Sequence, residues 1–331
     1  MAESETPTAS GGVPRTAPAE RCFWHVKTWA MLTRDLGKLP HALLLHGPEG
    51  LGKRIFAWRL AQSVLCTRPE ADAAACGSCH SCRLFAAGTH PDLLSVAPLG
   101  DSISIVIDQI RDVRQFVELR PHTSARKLVL LEPADAMNLS AANALLKVLE
   151  EPPATSALLL ITPQAARLPA TIRSRCTPVT FIPPAALNAV RWLAEHGVDE
   201  ATGAAMLRLA GGAPLRALAF AGADEQAERA EWLKDVERLK TEQEDPLRCV
   251  ARWRGYGVGR CLDWFQRYVA DLIEAEMVNG VSRKNPRLVS DLFRHFDVLS
   301  EAKSLSKGAL DETLLLEDIL IGWSRLFRPV V

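Results

Sequence analysis

From residue 42 onward, short unbroken apolar runs alternate with stretches of helical spacing, and that alternation predicts the architecture. Ala42-Leu43-Leu44-Leu45-His46 has no polar alternation and stops at Gly47, as expected of a strand buried on both faces. Behind it, Ile55, Phe56, Trp58, Leu60, Ala61 and Val64 recur at helical intervals and predict a helix over 53–65. Upstream, Trp24, Val26, Trp29, Met31 and Leu32 fit one helix face. Further runs predict strands at 93–96, 106–107, 128–131 and 158–162, with helices at 108–119 and 140–150. Pro152-Pro153 stops the second of these helices, because proline lacks the N–H donor and clashes in a helix interior. Strands alternating with helices predict a parallel sheet. After Phe181-Ile182-Pro183-Pro184 the pattern is helical throughout. Residues 185–218 are small and Ala-rich, broken at Gly197 and Gly211-Gly212. From 225 onward the helices are longer and amphipathic, with Trp253, Trp264, Phe265, Tyr268, Leu272 and Ile273 on apolar faces.

Composition narrows the class. The 331 residues are 48% hydrophobic and 24% charged, with 39 basic and 39 acidic side chains and a formal net charge of +0. That is a globular composition without the overall positive field that grips nucleic acid. No apolar run approaches the ~20 residues of a membrane-spanning helix. Residues 1–20 are rich in Ser, Thr, Pro, Ala and Glu, lack the plan of a secretory signal, and read as a disordered tail. Eight cysteines in a chain read as cytoplasmic favour a metal or free thiols over disulfides.

Gly47-Pro48-Glu49-Gly50-Leu51-Gly52-Lys53-Arg54 lies between a predicted strand and a predicted helix, the setting of a phosphate-binding loop. Gly47, Gly50 and Gly52 would let backbone N–H groups curl round a phosphate, and Lys53 would reach its outer oxygens. The last position should offer a hydroxyl to Mg²⁺; Arg54 cannot coordinate a cation and repels one. The partner strand, 127–131, is followed by Glu132 and then by Pro133, where a water-activating carboxylate belongs. Two defects in one site argue against hydrolysis and against productive ATP binding. Asp135 reads as a solvated residue at a helix start, and Thr162 as a strand-end residue.

Cys76, Cys79 and Cys82 form two overlapping C-x-x-C steps, with Cys66 upstream. Four thiolates so spaced suit tetrahedral Zn²⁺, and a closed all-cysteine set reads as structural. His80 is an alternative ligand, although the set is complete without it.

Asn143-Ala144-Leu145-Leu146-Lys147-Val148-Leu149-Glu150-Glu151-Pro152-Pro153 resembles a hallmark of bacterial DNA polymerase III clamp-loader subunits. Thr171-Ile172-Arg173-Ser174-Arg175-Cys176 resembles the family's S-R-C segment, and Ile107-Asp108-Gln109-Ile110-Arg111 and His90-Pro91-Asp92 also look like family segments. With the cysteine knuckle, the resemblance covers roughly residues 42–183, about half the chain. It implies an α/β AAA+ core over 21–183 with a zinc module inserted at 66–82, a small helical lid over 184–224, and an all-α collar over 225–331. Arg54 and Pro133 are departures that resemble the delta-prime branch and not the ATP-hydrolysing motor subunit, gamma or tau. Membership of that branch implies a non-catalytic subunit working with motor subunits and delta, and through them with the sliding clamp and primed DNA. It also implies that Arg175 projects toward ATP bound by a neighbouring motor subunit; read on its own, Arg175 would be an ion-pair arginine. Arg216 lies near the family's sensor arginine, but ungapped alignment through Gly212 puts Leu215 at that position. The rival readings are an active motor ATPase of the same complex and a zinc-dependent nucleic-acid-binding module.

Overall fold

The computed structural model describes residues 22–100, 102–278, 286–306 and 311–327, so the expected tail over 1–20 lies outside the described residues. The chain divides into two compact units, one of Met1–Trp192 with Ala210–Arg216 and one of Leu193–Leu209 with Ala217–Val331.

In the first unit, α1 (Val26–Thr33) precedes β1 (Ala42–His46), α2 (Lys53–Leu65), α3 (His80–Ala86), β2 (Leu93–Val96) and α4 (Ile107–Glu118). β3 (Lys127–Leu131), α5 (Leu139–Glu150), β4 (Ser156–Thr162), α6 (Ala170–Arg173), β5 (Thr177–Thr180) and α7 (Ala186–Glu195) follow. The strands form a parallel sheet in the order β2-β3-β4-β1-β5. Alternation along each strand assigns its two faces. Ala42, Leu44, Val129, Leu131, Leu158 and Leu160 share one face with Ile110, Val113, Leu145 and Leu149 of α4 and α5. Leu43, Leu45, Leu128, Leu130, Leu159 and Ile161 are equally buried on the other face, where α2 packs across β1, β3 and β4. Burial on both faces is what made these strands read as continuous apolar runs.

Three expectations need correction. Val106-Ile107 is not a strand: Ile105 makes a single bridge to Met137, and Val106 is the N-cap of α4. α3 begins inside the stretch expected to be irregular, with Cys79 as its N-cap. β5 was not expected; it is an edge strand with only Val179 buried and with Pro178 in its course, a place where a missing N–H is tolerated.

α8 (Glu200–Leu209) and α9 (Pro214–Phe220) follow the predicted breaks at Gly197 and Gly211-Gly212. In the second unit, α10 (Ala223–Lys240), α11 (Pro246–Tyr256), α12 (Val258–Val278), α13 (Pro286–Leu305) and α14 (Glu312–Leu326) pack as a bundle. Its centre is aromatic: Trp232, Trp253, Trp264, Phe265 and Trp323 are fully buried and meet largely edge to face. Asp235, buried beside them, accepts two hydrogen bonds from Arg252 and one from Trp253 Nε1. The pair thereby meets the pairing that a buried charge requires. Among the described residues no helix is long and apolar enough to cross a membrane.

Each unit buries a neutral histidine. Burial holds His25 at a pKa of about 4, and the Leu51 carbonyl it bonds only partly offsets this. Burial alone brings His295, packed between Phe265 and Trp323, to about 4. The unfolded chain binds a proton at each site below pH 6.5 and the folded chain does not until about 4. Their stabilising effect is therefore complete above pH 6.5 and is lost as pH falls toward 4, by up to about 3 kcal/mol per site. Urea midpoints measured from pH 7 to 4.5 should fall accordingly, and His295→Phe should remove part of the slope. An identical slope in that variant would contradict the assignment.

Candidate functional site

The sheet order sets the carboxyl ends of β3, β4 and β1 side by side, the edge at which open parallel sheets gather their ligand loops. The turn from β1 into α2 has the expected backbone, with Gly47 at φ +136° and Gly50 and Gly52 at +77°, conformations that side chains resist. Space imposes the same choice. A Cβ on Gly47 would lie 2.2 Å from the Phe181 carbonyl oxygen, and one on Gly50 would lie 2.5 Å from Arg216 Cβ.

Carbonyls of this loop are taken up by donors from the chain itself. Lys53, 7% exposed, donates from Nζ to the carbonyls of Gly47 at 2.6 Å and Pro48 at 2.7 Å. Burial holds its pKa below the ordinary lysine value, and Glu49, Glu132 and Asp135 only partly offset this. Trp24 Nε1 and His25 Nε2 both donate to the Leu51 carbonyl, at 2.9 and 2.7 Å. Leu215 N donates to Gly50 O at 3.2 Å. Arg54 stands 3.4 Å from Glu132, so a guanidinium faces the carboxylate that would neighbour a metal. Burial raises the Glu132 pKa above its ordinary value, against the pull of Arg54 and Lys53.

Asp135 differs from the expectation. It lies in the short 3-10 turn Ala134–Ala136, close to a helix start as expected, but its side chain is only 7% exposed. Thr162 Oγ1 donates to it at 2.7 Å, and Arg167 approaches to 3.9 Å. Adjacency of β3 and β4 creates this contact, which neither stretch of sequence contains. Leu215 and Arg216, singled out in the sequence as near the family's sensor-arginine position, approach Gly50 in the fold.

The four cysteines converge. Their sulfurs all lie within 4.8 Å of one another, and His80 is not among the group. Cys66 Sγ is 3.6 Å from Cys76 Sγ and 3.9 Å from Cys79 Sγ. A tetrahedron with ~2.3 Å metal–sulfur bonds has sulfur–sulfur edges of ~3.8 Å, so the donor set fits a zinc-sized ion. Cys66 caps the end of α2, and its sulfur accepts the N–H groups of Arg68 and Cys76. Cys79 Sγ accepts from Cys82 N. Backbone donors at Ser78 and Cys79 hold the Cys76 thiol below its ordinary pKa, whereas burial holds those of Cys66 and Cys82 above it.

His90-Pro91-Asp92 has a structural role: it joins this module to the sheet. Asp92 N donates to His90 Nδ1, which leaves Nε2 to donate to Ser81 Oγ at 2.8 Å; Ser81 in turn donates to the Leu65 carbonyl at 2.6 Å. Ser124 Oγ donates to the same carbonyl. Asp92, fully buried, accepts from the backbone of His122, Thr123 and Ser124 and lies 3.6 Å from Lys127 Nζ. Burial pushes its carboxyl up, but the three backbone donors and Lys127 outweigh this and hold it below its ordinary value.

Arg175 follows α6 and is partly exposed, next to the buried Cys176, whose thiol burial pushes up to about 11. Its guanidinium donates to Thr171 O at 2.9 Å and pairs with Glu150 at 2.7 Å. Arg173 is exposed and ends α6.

Comparison with known proteins places this geometry. A family profile described as DNA polymerase III, delta subunit, matches residues 25–185. The DNA polymerase III subunit delta' of Pseudomonas aeruginosa is 37% identical over 323 residues, covering 92% of this chain and 98% of that protein. The Escherichia coli subunit of the same name is 30% identical over 311 residues, covering 89% and 92%. At 37% and 30% identity over nearly the full length of these two relatives, the chain belongs to the DNA polymerase III subunit delta' family.

Proposed function

We propose that this chain is the non-hydrolysing delta-prime subunit of a DNA polymerase III clamp loader, acting in the cytoplasm. It assembles with motor subunits of the gamma or tau type and with delta, and the complex uses ATP to place the sliding clamp on primed DNA. Residues 21–183 serve as an AAA+ core with a structural Zn²⁺ on Cys66, Cys76, Cys79 and Cys82, residues 184–224 as a lid, and 225–331 as an oligomerising collar. Arg175 acts in trans on ATP held by the adjacent motor subunit, where its planar guanidinium neutralises charge on the transferred phosphoryl group.

One observation carries the non-hydrolysing assignment: Arg54 occupies the metal-ligand position and is already paired with Glu132. Around it, Lys53 is bonded to its own loop and Pro133 offers no base. A nucleotide would have to displace Lys53 from two carbonyls and would still lack a hydroxyl for Mg²⁺. The isolated chain is therefore expected to turn over ATP no faster than background, and Lys53→Ala should leave that background unchanged. Turnover that survives removal of contaminating ATPases and vanishes in Lys53→Ala would overturn this and favour the motor-subunit reading. In the positive arm, the chain mixed with motor and delta subunits should co-elute as one complex that loads clamps.

A further inference from the structure

We infer that Glu150 is a positioning residue for Arg175, holding its guanidinium in the orientation in which it meets the neighbouring subunit's phosphate. The inference rests on the trans role proposed for Arg175. Its ground is how the arginine is held. One terminal nitrogen bonds Glu150 Oε1 at 2.7 Å and the other bonds the Thr171 carbonyl at 2.9 Å. The two anchors come from different elements, the last residue of α5 and the first turn of α6. Together with the attachment of the group at Nε, two anchored nitrogens fix the plane of the rigid guanidinium. A guanidinium has five N–H donors, so two anchors leave others for an incoming anion, and the side chain is 36% exposed. The base of the side chain is equally constrained: Arg175 N donates to Ile172 O, and Ile172 and Cys176 on either side are buried in the core.

The placement of Glu150 argues that its role is geometric. It is the final residue of α5, with Glu151 as C-cap. A negative charge at a helix C-terminus opposes the helix dipole, and cations are favoured there. With side-chain exposures of 36% and 49%, the pair adds little to stability. A glutamate that helps neither its helix nor the fold, yet fixes one nitrogen of a half-open arginine, is accounted for by orientation.

The test uses the assembled loader carrying Glu150→Ala, Glu150→Gln, Arg175→Ala, or Glu150→Ala with Arg175→Ala, with ATP turnover measured in the presence of clamp and primed DNA. Glu150→Ala should lower kcat by up to about a hundredfold, the scale of a misplaced catalytic group, and leave KM for ATP unchanged. Glu150→Gln should fall between Glu150→Ala and the unmodified loader, because its amide oxygen still accepts a hydrogen bond. The double variant should be no slower than Arg175→Ala alone, since residues acting through one another are not additive. Co-elution and the thermal midpoint of the chain should be unchanged in all variants. A normal kcat in Glu150→Ala, with a loss in Arg175→Ala, overturns the positioning role and leaves the trans role standing. A normal kcat in Arg175→Ala overturns the trans role itself. A Glu150→Ala loss that adds fully to that of Arg175→Ala, or that comes with failed assembly and a lowered midpoint in both Glu150 variants, assigns Glu150 to structure and overturns the inference.

Discussion

Arg175→Ala is expected to slow ATP turnover at the neighbouring motor site by ~10³-fold or more, the scale at which an arginine supplied in trans acts. A loader with further ATP sites would show a smaller loss for the whole complex. The size of the effect follows from timing. Charge on the phosphoryl oxygens grows as the bond breaks, so a guanidinium placed there stabilises the transition state more than the bound nucleotide. The loss should therefore appear in kcat, with ATP affinity at equilibrium little changed. Arg175→Lys should restore only part of it, since an ammonium is a point charge without the planar fork that can hold two oxygens. The fold should tolerate both changes. The pair with Glu150 is partly solvated, and such pairs contribute about 0–1 kcal/mol. The mutant chain should co-elute with its partners, and wild-type turnover in that complex would rule the trans role out.

Loss of the metal is expected to have the largest effect on the chain itself. Structural zinc sites contribute an apparent ~10–16 kcal/mol near neutral pH in isolated zinc-binding peptides. The stretch from Cys66 to Cys82 has little apolar burial to replace that: Cys66, Cys79 and Cys82 are themselves the buried cluster. Protein purified without chelator should carry about one Zn²⁺ per chain. Chelation or Cys79→Ser should open residues 67–78 to protease. The damage should stop at α3, because Ser81 is tied to Leu65 and His90 by bonds that need no metal. Bound metal also requires four deprotonated sulfurs, so zinc should be released as pH falls. Zinc-free protein with the same protease pattern and stability would refute a structural metal.

What the sequence made legible were features carried by local spacing. The glycine turn and the two-sided strands β1, β3 and β4 each lie within a few consecutive residues and take the predicted form, and the four cysteines spaced over 66–82 bring their sulfurs together. What stayed hidden depended on contacts made by the finished sheet. Asp135 reads as solvated until β4 brings Thr162 beside it. Glu150 and Arg175 carry no mutual signal, because their meeting depends on how α5 packs against α6. Thr177-Pro178-Val179-Thr180 offers one buried residue and a proline, too little to predict a strand, and becomes one because β1 supplies the pairing edge. Val106-Ile107 failed in the opposite sense: β-branched residues favour extended backbone, but Val106 caps α4, Ile107 opens it, and the bridge to Met137 is made by Ile105.

α2 has a consequence for how this subunit breathes. Helices ordinarily fray from their termini, where four N–H groups and four carbonyls lack partners within the helix. Here the first residue, Lys53, is bolted to the preceding turn, and the last, Leu65, gives its carbonyl to two serine hydroxyls from separate segments. A helix of 13 residues, about 20 Å long at 1.5 Å per residue, is thus clamped at both tips. Fraying from the C-terminal tip would have to break both serine bonds to Leu65, and fraying from the N-terminal tip would have to free the Lys53 side chain from the glycine turn. Amide exchange in the last turn of α2 is then expected to be slow, and the span from the glycine turn to the four-cysteine cluster to move as a single strut.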